Sequence, residues 1–162
     1  MGVHMEQNCA QILIQSLEKK QQVLDRIIEQ NDTQERILKQ DMFDMDAFEA
    51  SIDEQNEMIK ELDKLDRGFE SFYERVREDI MNHKEKYHNE IAYMKELIQK
   101  TTDKVVAINA GSARNKTLAE KQFQAEKKKI QQSVSKTKVA RNYYNSMNNL
   151  NQVAPQFYDS KK

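Results

Sequence analysis

The sequence predicts an all-α protein: an elongated antiparallel hairpin or bundle of three long helices, the central one longest. Two observations carry this. Three glycines and one proline among 162 residues leave little room for the turns of a β fold. An apolar stripe also runs from Met45 to Ile108 at alternating steps of three and four residues. It passes through Phe48, Ile52, Ile59, Leu62, Phe69, Tyr73, Val76, Ile80, Tyr87, Met94 and Leu97. Thirteen of its nineteen positions are apolar or tyrosine, although 33% of the chain is charged. That spacing is the seam of a helix packed along another helix.

The first helix is expected over 8–40. Leu13, Leu17, Leu24, Ile27 and Leu38 form its seam, and Lys20, Asn31 and Gln34 fall on the same line. A polar residue at a seam position fixes register at some cost in stability. Asp41 to Asp44 reads as a joint, with Asp44 as N-cap and Asp46 adding negative charge to the first turn. So short a joint makes the flanking helices antiparallel neighbours.

The second helix is expected over 45–109, about 97 Å if continuous. The seam keeps its phase across Gly68, which favours continuity there despite a cost of about 1 kcal/mol relative to alanine. Gly111 suits the left-handed residue that ends a helix, and Ser112 can cap the next. A third helix then covers 113–150, with Leu118, Phe123, Ile130, Val134, Tyr144, Met147 and Leu150 on a thinner seam. Pro155 ends it, and 151–162 form a tail containing Phe157 and Tyr158. The whole chain, 1–162, is read as one helical domain.

Helices of these lengths cover the two ends of the long one with little overlap. Leu65, Phe72, Ile91, Ile98 and Val105 lie beside the main seam and widen the strip left open. Such strips mark partner sites or self-association. Charge suggests how the third helix docks. Residues 41–99 carry 17 acidic and 8 basic side chains, whereas 112–162 carry 3 acidic and 11 basic. Antiparallel docking on the far half of the second helix brings these segments together.

Chemistry is sparse. Glu85-x-x-His88 has the spacing of a di-iron ligand pair, but the facing copy that such a site needs is missing. His83 and His88 fall on different faces. Neither a nucleophile–base set nor a glycine-rich phosphate loop is present. The chain reads as a non-enzyme without cofactor or metal. No apolar run approaches membrane-spanning length. A single cysteine, Cys9, fits a reducing, cytoplasmic setting. Lys127-Lys128-Lys129, Lys136, Lys138 and Arg141, with Phe123, Tyr143 and Tyr144, form a basic aromatic stretch. The near-neutral chain and the acidic segment that can pair with this stretch argue against nucleic acid. Tyr143, Tyr144, Met147 and Leu150 have two readings. One is ordinary core at helical spacing, and the other is a handle for a partner helix.

The segment Ile37–Leu65 resembles the first hairpin of flagellar export chaperones of the FlgN type. There a helix, an aspartate-containing joint and a spaced apolar series follow one another. Leu38, Asp44, Phe48, Ile52, Ile59, Leu62 and Leu65 match. Val105-Val106-Ala107-Ile108-Asn109, followed by a helix with tyrosines near its end, is similar to the family's second joint and C-terminal helix. The resemblance implies a cytoplasmic chaperone of flagellum assembly. It would bind amphipathic C-terminal helices of hook-associated (hook–filament junction) proteins and hold them for type III export, with the export apparatus as a further contact. Carried over, the partner-binding residues are Val139, Tyr143, Tyr144, Met147 and Leu150. The competing expectation is a structural coiled coil that closes its seam as a homodimer.

Overall fold

In a computed structural model the chain is all-helical, with four helices packed together. The structure describes the backbone of residues 2–129 and 134–152 and the side chains of 9–127 and 138–150. Helix α1 spans Gly2–Lys39, α2 Met45–Asn82, α3 His88–Lys129 and α4 Val134–Gln152.

The first joint forms as its residues dictate. Asp44 leaves helical geometry at φ −93°, ψ 96°, and its Oδ1 accepts from the Ala47 amide at 3.0 Å. This satisfies one of the free amides that every helix start carries. Helix α2 then returns antiparallel to α1. Lys20 pairs with Asp66, Arg26 with Glu61, and Gln34 with Gln55, so the numbers rise on one helix as they fall on the other.

The expected 45–109 helix is instead two helices. It passes straight through Gly68 but stops at Asn82, where His83 takes φ −128°, ψ 43°. The chain turns over 83–87 and comes back as α3. The reason is the reach of α1. Both α1 and α2 are 38 residues long, so α2 ends alongside the start of α1. A helix continuing past Asn82 would carry Met94, Leu97 and Ile98 into water. Turning back buries them in one cluster with Ala10, Leu13, Ile14 and Leu17. The corner is itself tied down. The Tyr87 hydroxyl donates to Asp79 Oδ2 at 3.2 Å, and His83 Nδ1 lies 2.8 Å from the Asp79 carbonyl oxygen.

The joint expected at Asn109–Ser112 is also absent, because α3 continues through it and no glycine has positive φ among the described residues. Gly111 serves a different need. A Cβ there would stand 3.0 Å from Asn31 Nδ2 and 3.3 Å from Asn31 Cβ. Its missing side chain lets α1 and α3 approach closely. The expected third helix over 113–150 is therefore the end of α3 followed by the shorter α4. The stop expected at Pro155 and the tail after it lie outside the described residues.

Helix α1, not α2, is the spine. It packs along both α2 and α3, and α3 runs parallel to it. Gln21 Nε2 donates to the Leu97 carbonyl oxygen at 3.0 Å, and near the other end Gln122 Nε2 donates to that of Leu38 at 2.8 Å. Between these bonds lies a buried polar layer. Asn115 Nδ2 donates to the Asn31 carbonyl oxygen at 2.9 Å, Asn31 Nδ2 to that of Ile108 at 3.3 Å, and Gln34 Nε2 to Gln55 Oε1 at 2.9 Å. A one-residue slip of any of the three helices would leave these amides buried and unpaired. The layer therefore sets register, as the seam positions of Asn31 and Gln34 imply.

Candidate partner-helix groove

Helix α4 lies opposite α1, packed mainly on α2 and also on α3. Val139, Tyr143 and Met147 join Leu38, Phe48, Ile52 and Ala119 in one cluster. Leu150 joins Leu24, Ile59, Leu62, Val105 and Ile108 in the next. Helix α4 therefore runs parallel to the first half of α2 and antiparallel to the second half of α3. The expected antiparallel docking on the far half of residues 45–109 is not what forms. Nor does an ion pair hold α4 in place among its described side chains, 138–150. Arg114 on α3 pairs with Asp32 and Glu35 of α1, at 3.7 and 3.3 Å. Apolar burial selected the seat; exposed ion pairs are too weak to override it.

The five residues carried over as partner-binding now have places. Val139, Tyr143, Met147 and Leu150 are buried in the chain's own core, and Tyr144 is half-buried. The rings form a nest. Tyr143 lies 5.2 Å from Phe48, and Tyr144 lies 5.6 Å from Tyr143 and 6.3 Å from Phe123. Faces packed in this way are not offered to nucleobases. A partner reaches four of the five residues only if α4 leaves its seat.

How α4 is held differs from how the other helices are held. Among the described residues, no side chain from Lys138 to Leu150 makes a hydrogen bond or ion pair to another helix. Its attachment is apolar and aromatic. Two of its hydroxyls, Tyr143 OH and Ser146 Oγ, are buried without a partner, as is Ser112 Oγ on α3. Burial pushes the pKa of the Tyr143 phenol well above its ordinary value, and the neighbouring Tyr144 and Glu120 push it further. Burying a hydroxyl without a bond costs about 1–3 kcal/mol, so α4 is seated against a penalty that no polar link of its described side chains offsets.

Burial along the groove walls is graded. Ala119, Ser112, Val105, Ile98 and Ile91 lie seven residues apart along α3. Their exposures are 0%, 4%, 9% and 8%, and Ile91 is half-buried. Burial is looser at the end of this line farther from Ala119. Helix α2 shows the same trend: Phe48 and Ile52 are fully buried, whereas Val76 and Tyr73, further along the same two lines, are half-buried. The strip beside the seam was legible in sequence at Ile91, Ile98 and Val105, but two of these three are covered. Tyr73, Val76 and Ser112 were not distinguished as groove positions. Their seven-residue spacing from covered positions is the signal that marks them.

Other chemistry is structural. Glu85 and His88 sit at the corner and the start of α3, and no group of three or more metal-ligating side chains exists among the described residues. Cys9 is a half-buried free thiol. Desolvation, then Asp79, pushes the Tyr87 phenol up to about 12, so it stays protonated as the corner's donor. The shallow cleft beside the Lys20–Asp66 pair, lined also by Ser16, Leu17, Leu65 and Phe69, is smaller than ordinary ligand pockets. No helix among the described residues is long and apolar enough to cross a membrane. Comparison with protein-family models, curated proteins and solved structures finds no match for this chain.

Proposed function

We propose that this protein is a non-enzymatic, cytoplasmic chaperone of the flagellar export type. Its client is an amphipathic C-terminal helix of a hook–filament junction protein, and its seat is the groove between α2 and α3. One observation carries the reading: among its described residues, 138–150, α4 has no side-chain polar link to the rest of the bundle, while α1, α2 and α3 are laced by buried amides. An element held only by apolar contacts can be replaced by any helix offering an equivalent stripe. The core of three helices keeps its register in the exchange because the polar layer needs nothing from α4. The residues carried over from the resemblance then act in a second way. Val139, Tyr143, Met147 and Leu150 show the client what the groove accepts, and once α4 is released they are free to contact the client or the export apparatus.

The test is hydrogen exchange on the full chain, alone and with C-terminal helical fragments of hook–filament junction proteins. The reading expects residues 138–150 to exchange sooner than the core of α1 in the free chain. It expects them to lose protection as a fragment binds, while α1 and the first half of α2 stay protected. Protection of 138–150 equal to that of α1, with no fragment bound at micromolar concentration, refutes it.

A further inference from the structure

We infer that α4 is a weakened copy of the partner helix, and that the partner presents an apolar ring in the place of Tyr143 and a small apolar residue, alanine, in the place of Ser146. The inference rests on the exchange reading above and names the side chains by which a partner wins the groove.

Among its described residues, the buried face of α4 consists of Val139, Tyr143, Ser146, Met147 and Leu150. Two of these five carry hydroxyls, each residue 1% exposed and each oxygen without a hydrogen-bond partner. Other buried hydroxyls of the fold are bonded. That of Ser51 donates to the Phe48 carbonyl oxygen at 2.6 Å, that of Thr101 to the Leu97 carbonyl oxygen at 3.0 Å, and that of Tyr87 to Asp79. Ser112 on α3 is the remaining exception among the described residues. A serine inside a helix commonly bonds back to the preceding turn, and Ser146 does not.

A tethered helix is a strong competitor. Helix α3 ends at Lys129 and α4 begins at Val134. So short a link gives α4 an effective concentration on the order of millimolar. A free helix at micromolar concentration must therefore bind about a thousandfold better. Added bulk does not supply this. Phe48, Ile52 and Ala119, in the cluster that seats α4, have no exposed surface, and extra methylenes strain a filled site. Removing oxygen does supply it. An unpaired buried hydroxyl weakens a seat by roughly fivefold to a hundredfold. Alanine in place of serine adds about twofold through helix propensity. The two replacements together give from about fiftyfold to well beyond a thousandfold. The ring contacts of Tyr143, with Phe48 at 5.2 Å and Phe123 at 6.3 Å, are ones that phenylalanine keeps. A second copy of this chain gains nothing, because its α4 brings the same two hydroxyls. The seat therefore favours a different helix over self-association.

Three labelled peptides test this against the full chain by fluorescence anisotropy. One copies residues 134–152, one carries Tyr143→Phe with Ser146→Ala, and one carries Asn145→Ala at an exposed position. The plain copy should half-saturate no lower than about a millimolar, the effective concentration of the helix it must displace. The double variant should do so at least about thirtyfold lower, and Asn145→Ala no more than about threefold lower. The same two hydroxyl substitutions placed in the chain's own α4 should return the double-variant peptide to about a millimolar. A raised urea midpoint verifies the fold of that chain. Equal affinities for the copy and the double variant, or a gain that Asn145→Ala matches, overturn the inference. Exchange itself then stands if 138–150 lose hydrogen-exchange protection as the peptides bind. Tight binding that the substituted chain does not weaken, or that leaves 138–150 protected, seats the peptide elsewhere and also overturns the inference. If no peptide binds at several millimolar, the exchange reading fails and this inference falls with it.

Discussion

Replacing Tyr143 with phenylalanine should stabilise this protein, the reverse of what most core substitutions do. The Tyr143 hydroxyl is buried without a hydrogen-bond partner. Its ring is held by Phe48 at 5.2 Å, Tyr144 at 5.6 Å and Phe123 at 6.3 Å, contacts that phenylalanine keeps. The substitution therefore removes only a desolvated oxygen, for which the lower end of the 1–3 kcal/mol scale applies because the site can relax around it. The expected gain is about 1 kcal/mol. That raises the urea midpoint and shifts Tm up by about 2–4 °C for a chain of this size. Urea unfolding followed by circular dichroism at 222 nm reads the first, and calorimetry the second. Hydrogen exchange should slow specifically at 138–150, because the hydroxyl belongs to α4. A loss of stability of about 0.5 kcal/mol or more would show that the hydroxyl is bonded in solution, and the account of α4 as seated against a penalty would then be wrong.

Other expectations concern the three-helix core. Asn115→Ala should cost about 3 kcal/mol in urea unfolding. It removes the shorter of two side-chain bonds to the Asn31 carbonyl oxygen, the other being from Arg114 at 3.2 Å, and leaves a cavity at a fully buried position. The two helical glycines should behave oppositely. Gly68→Ala meets no atom within 4 Å and should gain about 0.5–1 kcal/mol from helix propensity. Gly111→Ala forces its new Cβ to 3.0 Å from Asn31 Nδ2, and its denaturation midpoint should not rise. Alkaline pH should unfold the corner. The folded Tyr87 phenol is raised from 10.0 to about 12, so its contribution is intact below pH 10 and is lost as pH climbs through the folded value. Tyr87→Phe should flatten the pH dependence of stability in that window.

Much of the local structure was legible in the chain. Asp44 caps α2 as its residue type and position suggest, and Leu13, Leu17, Leu24, Ile27 and Leu38 are buried on α1. Asn31 and Gln34, polar residues on an apolar seam, lie in the register-setting layer. The corner at 83–87 was not legible, and the reason is geometric. Ile80, Tyr87 and Met94 are seven apart, so the stripe crosses the turn in phase. No glycine or proline marks the place, and the polar residues there also suit an exposed helix face. Gly111 misled in the opposite way. It has the residue type of a helix stop, but its use is steric. The partner-binding residues were half legible: the spacing of Tyr143, Met147 and Leu150 shows an apolar face, but not whether the face is open or already covered.

The sequence by itself determined that this chain is helical, which residues form each apolar face, and where the first turn lies. These depend on interactions within a few residues, namely capping, three-four spacing and the scarcity of glycine and proline. Only the tertiary structure decided where the long stripe folds, that α1 is the central helix, and that α4 packs on α2 and α3. Those outcomes depend on how far one helix extends beside another and how closely their backbones approach. Burial between segments 70 or more residues apart, as between Leu13 and Met94 or Asn31 and Asn115, supplies the free energy that selects them.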